Sequence, residues 1–342
     1  MLFNPSKLLF SFTLIMGIII TISSNSWLGA WMGLEINLLS FIPLMIDNSN
    51  SYANEASLKY FLTQAMASSL LLFSIIFFLN YNLLNFNTWN FNFWTNLSLI
   101  NLMLLIKMGS APFHFWFPSV MNCLSWFNSW MLMTLQKIAP FMLIFYSFNF
   151  YINTISLLLS LIFGAIGGLN QTSIRKIMAY SSINHMSWMI CSMFFSMSLW
   201  MNYFLFYYFL TSAIVLIFNL LNIFYINQIF LYFNNNLTIK LSIFILFLSL
   251  GGLPPFLGFF PKWMVIQYLM FNNFFFILLM MVIFTLITLY FYLQTTYSAF
   301  LMDSWNLKWN IKKIKFMMHM NLSFIFLSFI SIFGLIFILL YF

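Results

Sequence analysis

Apolar runs of about 18 or more residues recur from one end of this 342-residue chain to the other. One such run is long enough for a helix to cross the hydrocarbon core of a bilayer. The strict alternation of apolar and polar residues that is typical of a membrane-spanning barrel is absent. The sequence therefore predicts an all-α polytopic membrane protein.

The small share of charged residues excludes a soluble enzyme. Lys, Arg, Asp and Glu together make up 5% of the chain, whereas a soluble domain carries about 25%. The net charge is +8, but the basic residues lie in short loops or singly inside apolar runs, unlike the one-sided cluster of a nucleic-acid-binding face. We therefore expect no nucleic-acid partner.

Motifs for cofactor binding are missing from the sequence. The chain has two cysteines, Cys123 and Cys191, which are too few for a four-thiolate iron–sulfur cluster. It has no G-x-G-x-x-G or P-loop motif. We expect this chain to bind no metal ion, nucleotide or flavin.

The choice of apolar residues indicates an AT-rich genome. The chain has 48 Phe and 25 Met but a single arginine, Arg175. Phe, Met, Ile, Asn, Tyr and Lys have AT-rich codons, whereas Arg mostly does not. We interpret the bias as that of an organellar gene.

The pattern predicts eleven transmembrane helices, two of which are interrupted. The interrupted spans are the fourth, which contains Pro112, and the ninth, which contains Pro254 and Pro255. Interior proline removes a backbone hydrogen bond, and broken backbone persists in a membrane only where it is buried in protein or lines a wet cavity. The predicted spans are 6–23, 26–46, 56–80, 94–121, 124–147, 151–169, 174–195, 199–226, 239–270, 274–300 and 321–341.

The two interruptions are five spans apart, and an odd offset implies opposite orientation. The pattern therefore predicts an inverted repeat of two five-helix units, which is typical of ion transporters. The first unit is residues 1–149 with the broken helix 94–121, and the second is 150–300 with the broken helix 239–270. Residues 301–342 form a basic loop and a final helix.

Loop charges predict the topology. With eleven spans, every loop Lys and Arg lies on one side, which the positive-inside rule assigns to the cytoplasm or matrix. The opposite side carries Asn-rich loops. The basic side holds Lys7, Arg175, Lys176, Lys240, Lys308, Lys312, Lys313 and Lys315, together with the acidic Asp47, Glu55 and Asp303.

Five charged residues lie inside predicted spans: Glu35, Lys59, Lys107, Lys137 and Lys262. A charge at mid-bilayer costs about 2.5–3.5 kcal/mol even on the mildest scale, so the central four must face one another or water. Lys59 lies near a span end, one helical turn from Glu55, and can instead extend to the interface. Lysine suits proton transfer because, unlike arginine, it can release its proton when buried.

Uncharged polar residues extend this set. Ser182, Asn184 and His185 lie in the seventh span, the repeat counterpart of the span that holds Glu35, and His114 lies in the first interruption. We consider them possible relay groups, although a buried histidine is more often a hydrogen-bonded packing residue.

Gly164, Gly167 and Gly168 favour close helix approach. Trp and Tyr are typical of interfacial belts, and examples here are Trp27, Trp31, Trp200 and Trp305.

Together these motifs resemble the subunit 2 family of mitochondrial NADH:ubiquinone oxidoreductase (respiratory complex I), in its animal form. The Pro-Phe-His-Phe-Trp-Phe-Pro stretch is highly specific, and the resemblance covers nearly the whole chain. Family members from other organisms have fourteen helices. The animal form lacks the first three, which agrees with the eleven helices predicted here. The matching stretches are 31–40, 55–65, 107–118, 136–140, 164–184 and 250–262.

The resemblance implies an antiporter-like fold and a proton-pumping subunit that carries no redox centre. It implies that Glu35 is the key membrane glutamate, that Lys107 is its partner, and that Lys59 is a modulating residue. It implies Lys137 as the central relay and Lys262 as the distal lysine.

The same resemblance implies partners and a location. FMN, iron–sulfur clusters, NADH and ubiquinone would be bound by other subunits of the complex. The neighbours would be subunits 4 and 4L, accessory subunits and phospholipids such as cardiolipin. The chain would lie in the mitochondrial inner membrane with its N-terminus and basic loops in the matrix and its C-terminus in the intermembrane space.

Two alternatives remain at this point. A stand-alone cation/proton antiporter would share the inverted repeat and the membrane lysines, and would exchange ions without NADH. A purely structural membrane subunit would tolerate neutral substitutions at Lys107 and Lys137. The buried lysines argue against the second alternative, since a scaffold does not need them.

Overall fold

The computed structural model describes residues 5–47, 50–84, 91–233, 237–300, 326 and 328–334. Apart from one isolated β-bridge, every regular element in these ranges is helical, so the all-α prediction is confirmed. The helices are α1 (Pro5–Ser23), α2 (Trp27–Met45), α3 (Ser51–Leu84), α4 (Phe91–Met108), α5 (Trp116–Cys123), α6 (Trp126–Met133), α7 (Leu135–Tyr146), α8 (Phe150–Gly168), α9 (Ile174–Met193), α10 (Met197–Leu221), α11 (Ile226–Phe233), α12 (Leu237–Gly251), α13 (Phe259–Phe271) and α14 (Phe275–Phe300).

Six helices in the described ranges are long and apolar enough to cross a membrane: α1, α2, α3, α8, α10 and α14. Two shorter apolar helices, Leu97–Met108 and Lys240–Gly251, belong to the interrupted spans. The count of eleven stays a prediction, because most of the span 321–341 and the basic loop before it lie outside the described residues.

The chain forms two compact units, Met1–Ser160 and Leu161–Phe342. The division falls within α8, about three helical turns after the predicted boundary between 149 and 150. Each unit contains one of the two predicted interruptions. The repeat relation between the units remains a prediction from the sequence.

The first interruption separates α4 from α5, and a glycine ends α4. Gly109 has a φ of 73°, a left-handed conformation that glycine adopts without a steric penalty. The Ser110 amide donates to the Leu105 carbonyl (3.2 Å) and the Gly109 amide to the Ile106 carbonyl (3.0 Å). These two bonds satisfy carbonyl groups at the helix end in the Schellman pattern, and Pro112 follows within the interruption.

The second interruption repeats this geometry between α12 and α13. Gly252 has a φ of 77°, the Leu253 amide donates to Leu248 (3.4 Å) and the Gly252 amide to Ser249 (3.0 Å). Pro254 and Pro255 come after the helix has ended. In both units a left-handed glycine therefore ends the helix, and the prolines prevent its continuation.

Two boundaries differ from the prediction. The span 124–147 is divided into α6 and α7 at Thr134, whose hydroxyl and amide both donate to the Trp130 carbonyl at 2.7 and 3.1 Å. The span 199–226 ends at Leu221, because Asn222 adopts a left-handed φ of 53° and takes the place of a C-terminal glycine. The short helix α11 follows, where a loop was expected.

Helix α9 is the most buried element of the second unit, and α8 packs closely on it. Every described position from Ser181 to Met193 is buried, although this stretch carries several hydroxyl groups, an amide and an imidazole. A Cβ at Gly164 would lie 2.8 Å from the Asn184 backbone nitrogen. The prediction of close helix approach at this glycine is confirmed, and it brings α8 against the polar part of α9.

Candidate functional site

The three central lysines are buried, and each lies within three residues of a helix discontinuity. Lys107 is in the last turn of α4, Lys137 is in the first turn of α7, and Lys262 is in the first turn of α13. Their exposed fractions are 8%, 1% and 6%. The discontinuity at Thr134 was not predicted, so this shared placement becomes visible only in the structure.

In the first unit, Lys107 and Lys137 line one cavity. Its volume is about 20 Å³. A single water molecule needs about 10–15 Å³. The polar residues that line it with the two lysines are Asn37, Tyr60, Gln64 and Gln136.

Two polar atoms of this cavity lack a hydrogen-bond partner among the described residues. They are Asn37 Oδ1, an acceptor, and Gln136 Nε2, a donor, and both are buried. Two other amide atoms of the cavity are paired: Tyr60 donates to Gln136 Oε1 (3.4 Å), and Gln64 Nε2 donates to the Lys107 carbonyl (3.2 Å). The cavity therefore offers a water molecule both room and complementary partners.

Glu35 lies on α2 one turn from the cavity-lining Leu38, and its charge acts on Lys107. One carboxylate oxygen, Oε2, is buried and has no hydrogen-bond partner in the part of the chain that the structure describes. The two described ion pairs within 4.0 Å are Lys7–Asp47 and Lys59–Glu55. Glu35 and Lys107 thus interact across a gap.

Helix ends place the two lysines in different electrostatic environments. Lys107 lies at the C-terminus of α4, where the partial negative charge of the helix end stabilises a cation. Lys137 lies near the N-terminus of α7, where the partial charge is positive, and its Nζ lies 4.9 Å from the centroid of the Phe117 ring. Glu35 and the C-terminus of α4 therefore both place negative charge near Lys107.

In the second unit, Lys262 reaches back across the interruption. Its Nζ donates to the Gly251 carbonyl (2.8 Å) and the Leu250 carbonyl (3.4 Å), the last two carbonyls of α12. The ammonium group thus satisfies acceptors that the helix end leaves open. Its Nζ also lies 5.8 Å from the centroid of the Trp188 ring on α9.

His185 belongs to a cluster of buried hydroxyl groups. Its Nδ1 lies 2.9 Å from the Tyr203 hydroxyl, and its ring centroid lies 5.2 Å from that of Tyr207. Ser182 donates to the Ala179 carbonyl (2.8 Å) and its hydroxyl interacts with that of Tyr207. Asn184, on another face of α9, donates to Thr288 Oγ1 (3.2 Å).

Two predicted residues lie outside these clusters. His114 is buried in the first interruption, hydrogen-bonds the Pro112 backbone and packs on Phe115 at 4.4 Å between ring centroids, but it does not line the cavity. The Lys59 side chain is 49% exposed and pairs with Glu55 at 2.6 Å. Lys59 therefore lies at the periphery of the first unit.

The sequence did not single out the polar residues between the lysines. Gln64 lies inside an apolar run and Gln136 directly precedes Lys137, so each was visible as a polar residue within a span. Trp200 was assigned to an interfacial belt but is buried, and Tyr203 and Tyr207, which the sequence did not single out, are buried as well. Trp305 lies outside the described residues.

The chain is similar to known proteins over most of its length. A family described as "NADH:quinone oxidoreductase/Mrp antiporter, TM" matches residues 24–288. NADH-ubiquinone oxidoreductase chain 2 of Anopheles gambiae is 55% identical, and that of Aedes aegypti is 52% identical. In both cases, the match covers 97% of each chain.

Solved structures show the same fold. A chain of respiratory complex I from Thermus thermophilus superposes with a TM-score of 0.83 at 20% identity, covering 96% of this chain and 77% of that chain. A chain of the archaeal membrane-bound sulfane sulfur reductase gives a TM-score of 0.79 at 17% identity, covering 96% and 73%. The chain therefore belongs to the NADH:quinone oxidoreductase/Mrp antiporter transmembrane family, together with the chain 2 proteins of its animal relatives.

Proposed function

We propose that this chain is a proton-translocating membrane subunit of respiratory complex I, coupled to NADH oxidation and ubiquinone reduction in other subunits. Its match with relatives named NADH-ubiquinone oxidoreductase chain 2 over nearly their whole length supports this function over that of a stand-alone antiporter. The observation that carries the mechanism is the cavity between Lys107 and Lys137.

The first step is a change in the Glu35–Lys107 interaction. While the carboxylate is near, it stabilises the ammonium form of Lys107, and the C-terminus of α4 does the same. A shift of Glu35 away from Lys107, driven by the redox reaction, removes the larger of these two stabilising charges. The proton on Lys107 then becomes available for transfer.

The second step is transfer through the cavity to Lys137. A water molecule held by Asn37 Oδ1 and Gln136 Nε2 would lie between the two lysines and carry the proton. Lys262 serves as the distal station, in line with the family resemblance, and His185 and Ser182 are relay groups in the same unit. Lys59 modulates the pathway from its periphery.

The remaining assignments follow from membership of the complex. We place the chain in the mitochondrial inner membrane with its basic loops toward the matrix. Subunits 4 and 4L, accessory subunits and phospholipids such as cardiolipin are its neighbours. FMN, the iron–sulfur clusters, NADH and ubiquinone are bound by other subunits.

Native gel electrophoresis of mildly solubilised membranes tests the assembly. Staining for NADH oxidation and mass spectrometry should find the chain in one large NADH-oxidising complex. A chain that migrates alone, and whose purified form exchanges ions without NADH, would instead be an antiporter.

The Lys107→Met variant tests the mechanism in the assembled complex. We expect NADH-driven proton pumping to fall at least tenfold, because the variant removes a group that must carry the proton. Lys176→Met, which removes a lysine from the α9 N-terminus outside the cavity, is the matched control and should pump normally. Normal pumping by an assembled Lys107→Met complex would refute the mechanism.

A further inference from the structure

Trp188 connects Lys262 to the hydrogen-bonded pair His185 and Tyr203. Lys262 Nζ lies 5.8 Å from the centroid of the Trp188 ring. The same ring stacks on Tyr203, with centroids 6.4 Å apart and an interplanar angle of 10°. Tyr203 in turn places its hydroxyl 2.9 Å from His185 Nδ1. The indole therefore contacts both the lysine and the ring that orients the histidine.

The second unit has no carboxylate near its lysine in the ranges that the structure describes. Its described residues include no Asp or Glu at all, whereas the first unit has Glu35 beside Lys107. The groups that stabilise the ammonium of Lys262 are the two α12 carbonyls and the Trp188 ring. An aromatic face attracts a cation within about 6 Å, and more strongly when the pair is removed from water.

The indole nitrogen of Trp188 adds a second observation. Trp188 Nε1 is buried and lacks a hydrogen-bond partner among the described residues. A buried tryptophan N–H normally finds a partner, and one left unpaired carries a cost in stability. Among the residues that the structure describes, the contacts that position this ring are therefore its packing against Tyr203 and its attraction to Lys262.

We propose that Trp188 is a positioning residue, which stabilises the protonated form of Lys262 and holds Tyr203 against His185. The attraction exists only while Lys262 carries its proton. When the proton leaves, the indole loses that contact, and the Tyr203 ring stacked on it loses part of its support. The charge on Lys262 thereby controls the orientation of the His185 imidazole. This inference rests on the proposed function.

Other titratable groups near the ring share the same environment. Tyr203 interacts electrostatically with Tyr207, Tyr292 and Cys191. The titratable groups around the Trp188–Tyr203 pair are therefore Lys262 from α13, His185 and Cys191 from α9, Tyr207 from α10, and Tyr292 from α14. A change at Trp188 acts first on Lys262, because Lys262 is the cation over its ring.

Proton pumping per assembled complex, measured as a function of pH, tests the proposal. Trp188→Leu removes the aromatic face, and we expect at least a threefold loss of pumping. The alkaline limb of the profile should move to lower pH by about half a unit to one unit, because protonated Lys262 loses a stabilising contact. Trp188→Phe keeps an aromatic face and should fall between Leu and wild type, and this variant carries the test if the leucine variant fails to assemble.

Trp200 provides the matched control. It is equally buried in the same unit, and its ring stacks on Phe204 at 5.6 Å between centroids. Trp200→Leu and Trp200→Phe should leave the alkaline limb unchanged. An unmoved limb in both Trp188 variants, or an equal shift in the Trp200 variants, would overturn the proposal.

Lys262→Met separates this inference from the proposed function. If Lys262→Met pumps normally, the distal role of Lys262 fails and the inference fails with it. If Lys262→Met loses pumping while Trp188→Leu keeps both the rate and the alkaline limb of wild type, only the role of Trp188 is refuted.

Discussion

The Lys262 ammonium donates to the Gly251 carbonyl at 2.8 Å, so a lysine in the first turn of α13 closes the open end of α12. Gly252, the first residue after α12, lies directly against the lysine side chain. A Cβ at position 252 would lie 2.8 Å from Lys262 Cδ and 2.9 Å from Nζ. The interruption thus depends on glycine both for its backbone and for the space that the lysine occupies.

Gly252→Ala should disturb this arrangement. The left-handed φ of 77° costs a residue with a side chain about 1–3 kcal/mol, and the new methyl group displaces Lys262. We expect less assembled complex and reduced pumping per complex. Gly251→Ala is the control, because its Cβ would meet no atom closer than 3.6 Å. Equal effects of the two variants would contradict the stated role of position 252.

Gln136→Leu should impair proton transfer without preventing assembly. The substitution removes Nε2, the buried donor in the cavity between the lysines. Loss of the hydrogen bond that would hold a water molecule costs about 1–2 kcal/mol, which corresponds to roughly fivefold or more in pumping rate. Proton uptake by reconstituted complex measures the effect. Gln171→Leu, outside the cavity at the end of α8, should pump at the wild-type rate, and an unimpaired Gln136→Leu would exclude the water site.

Lys59→Met should have a small effect. The Lys59 side chain is half exposed and its partner is the exposed Glu55, and such surface pairs contribute little. We expect pumping to change less than twofold, compared with a large loss for Lys107→Met. Steady-state NADH oxidation and pumping in the two variants give the comparison. A loss as large as that of Lys107→Met would give Lys59 a central role.

The sequence predicted where the two interruptions lie and which lysines are buried. Both predictions rest on strong physical costs: a helix cannot continue through Gly-x-x-Pro or Gly-x-Pro-Pro segments, and a charge cannot face lipid. The prediction gave prolines the main role, whereas the structure shows that Gly109 and Gly252 end the helices. The prolines in the sequence show that the helix must end nearby, but they do not show which of the residues before them adopts a left-handed φ.

Other features had no comparable signal in the sequence. The discontinuity at Thr134 needs neither proline nor glycine, because the threonine hydroxyl competes with the backbone for the Trp130 carbonyl. The burial of Tyr203 and Tyr207 depends on which face of α10 meets α9, and an apolar helix does not specify that face. The partner of each buried amide, such as Gln64 or Asn184, likewise depends on tertiary packing.

The Lys137→Arg variant tests most directly the claim that a proton passes through the cavity to Lys137. Arginine preserves the positive charge, so the electrostatic interactions needed for assembly are retained. Unlike lysine, however, arginine stays protonated in proteins and cannot release a proton. NADH-driven proton pumping per assembled complex, measured in proteoliposomes, should fall to less than about one-tenth of the wild-type value, as it should for Lys137→Met. Pumping at the wild-type rate by Lys137→Arg would show that the charge alone is required, and would contradict proton transfer through this lysine.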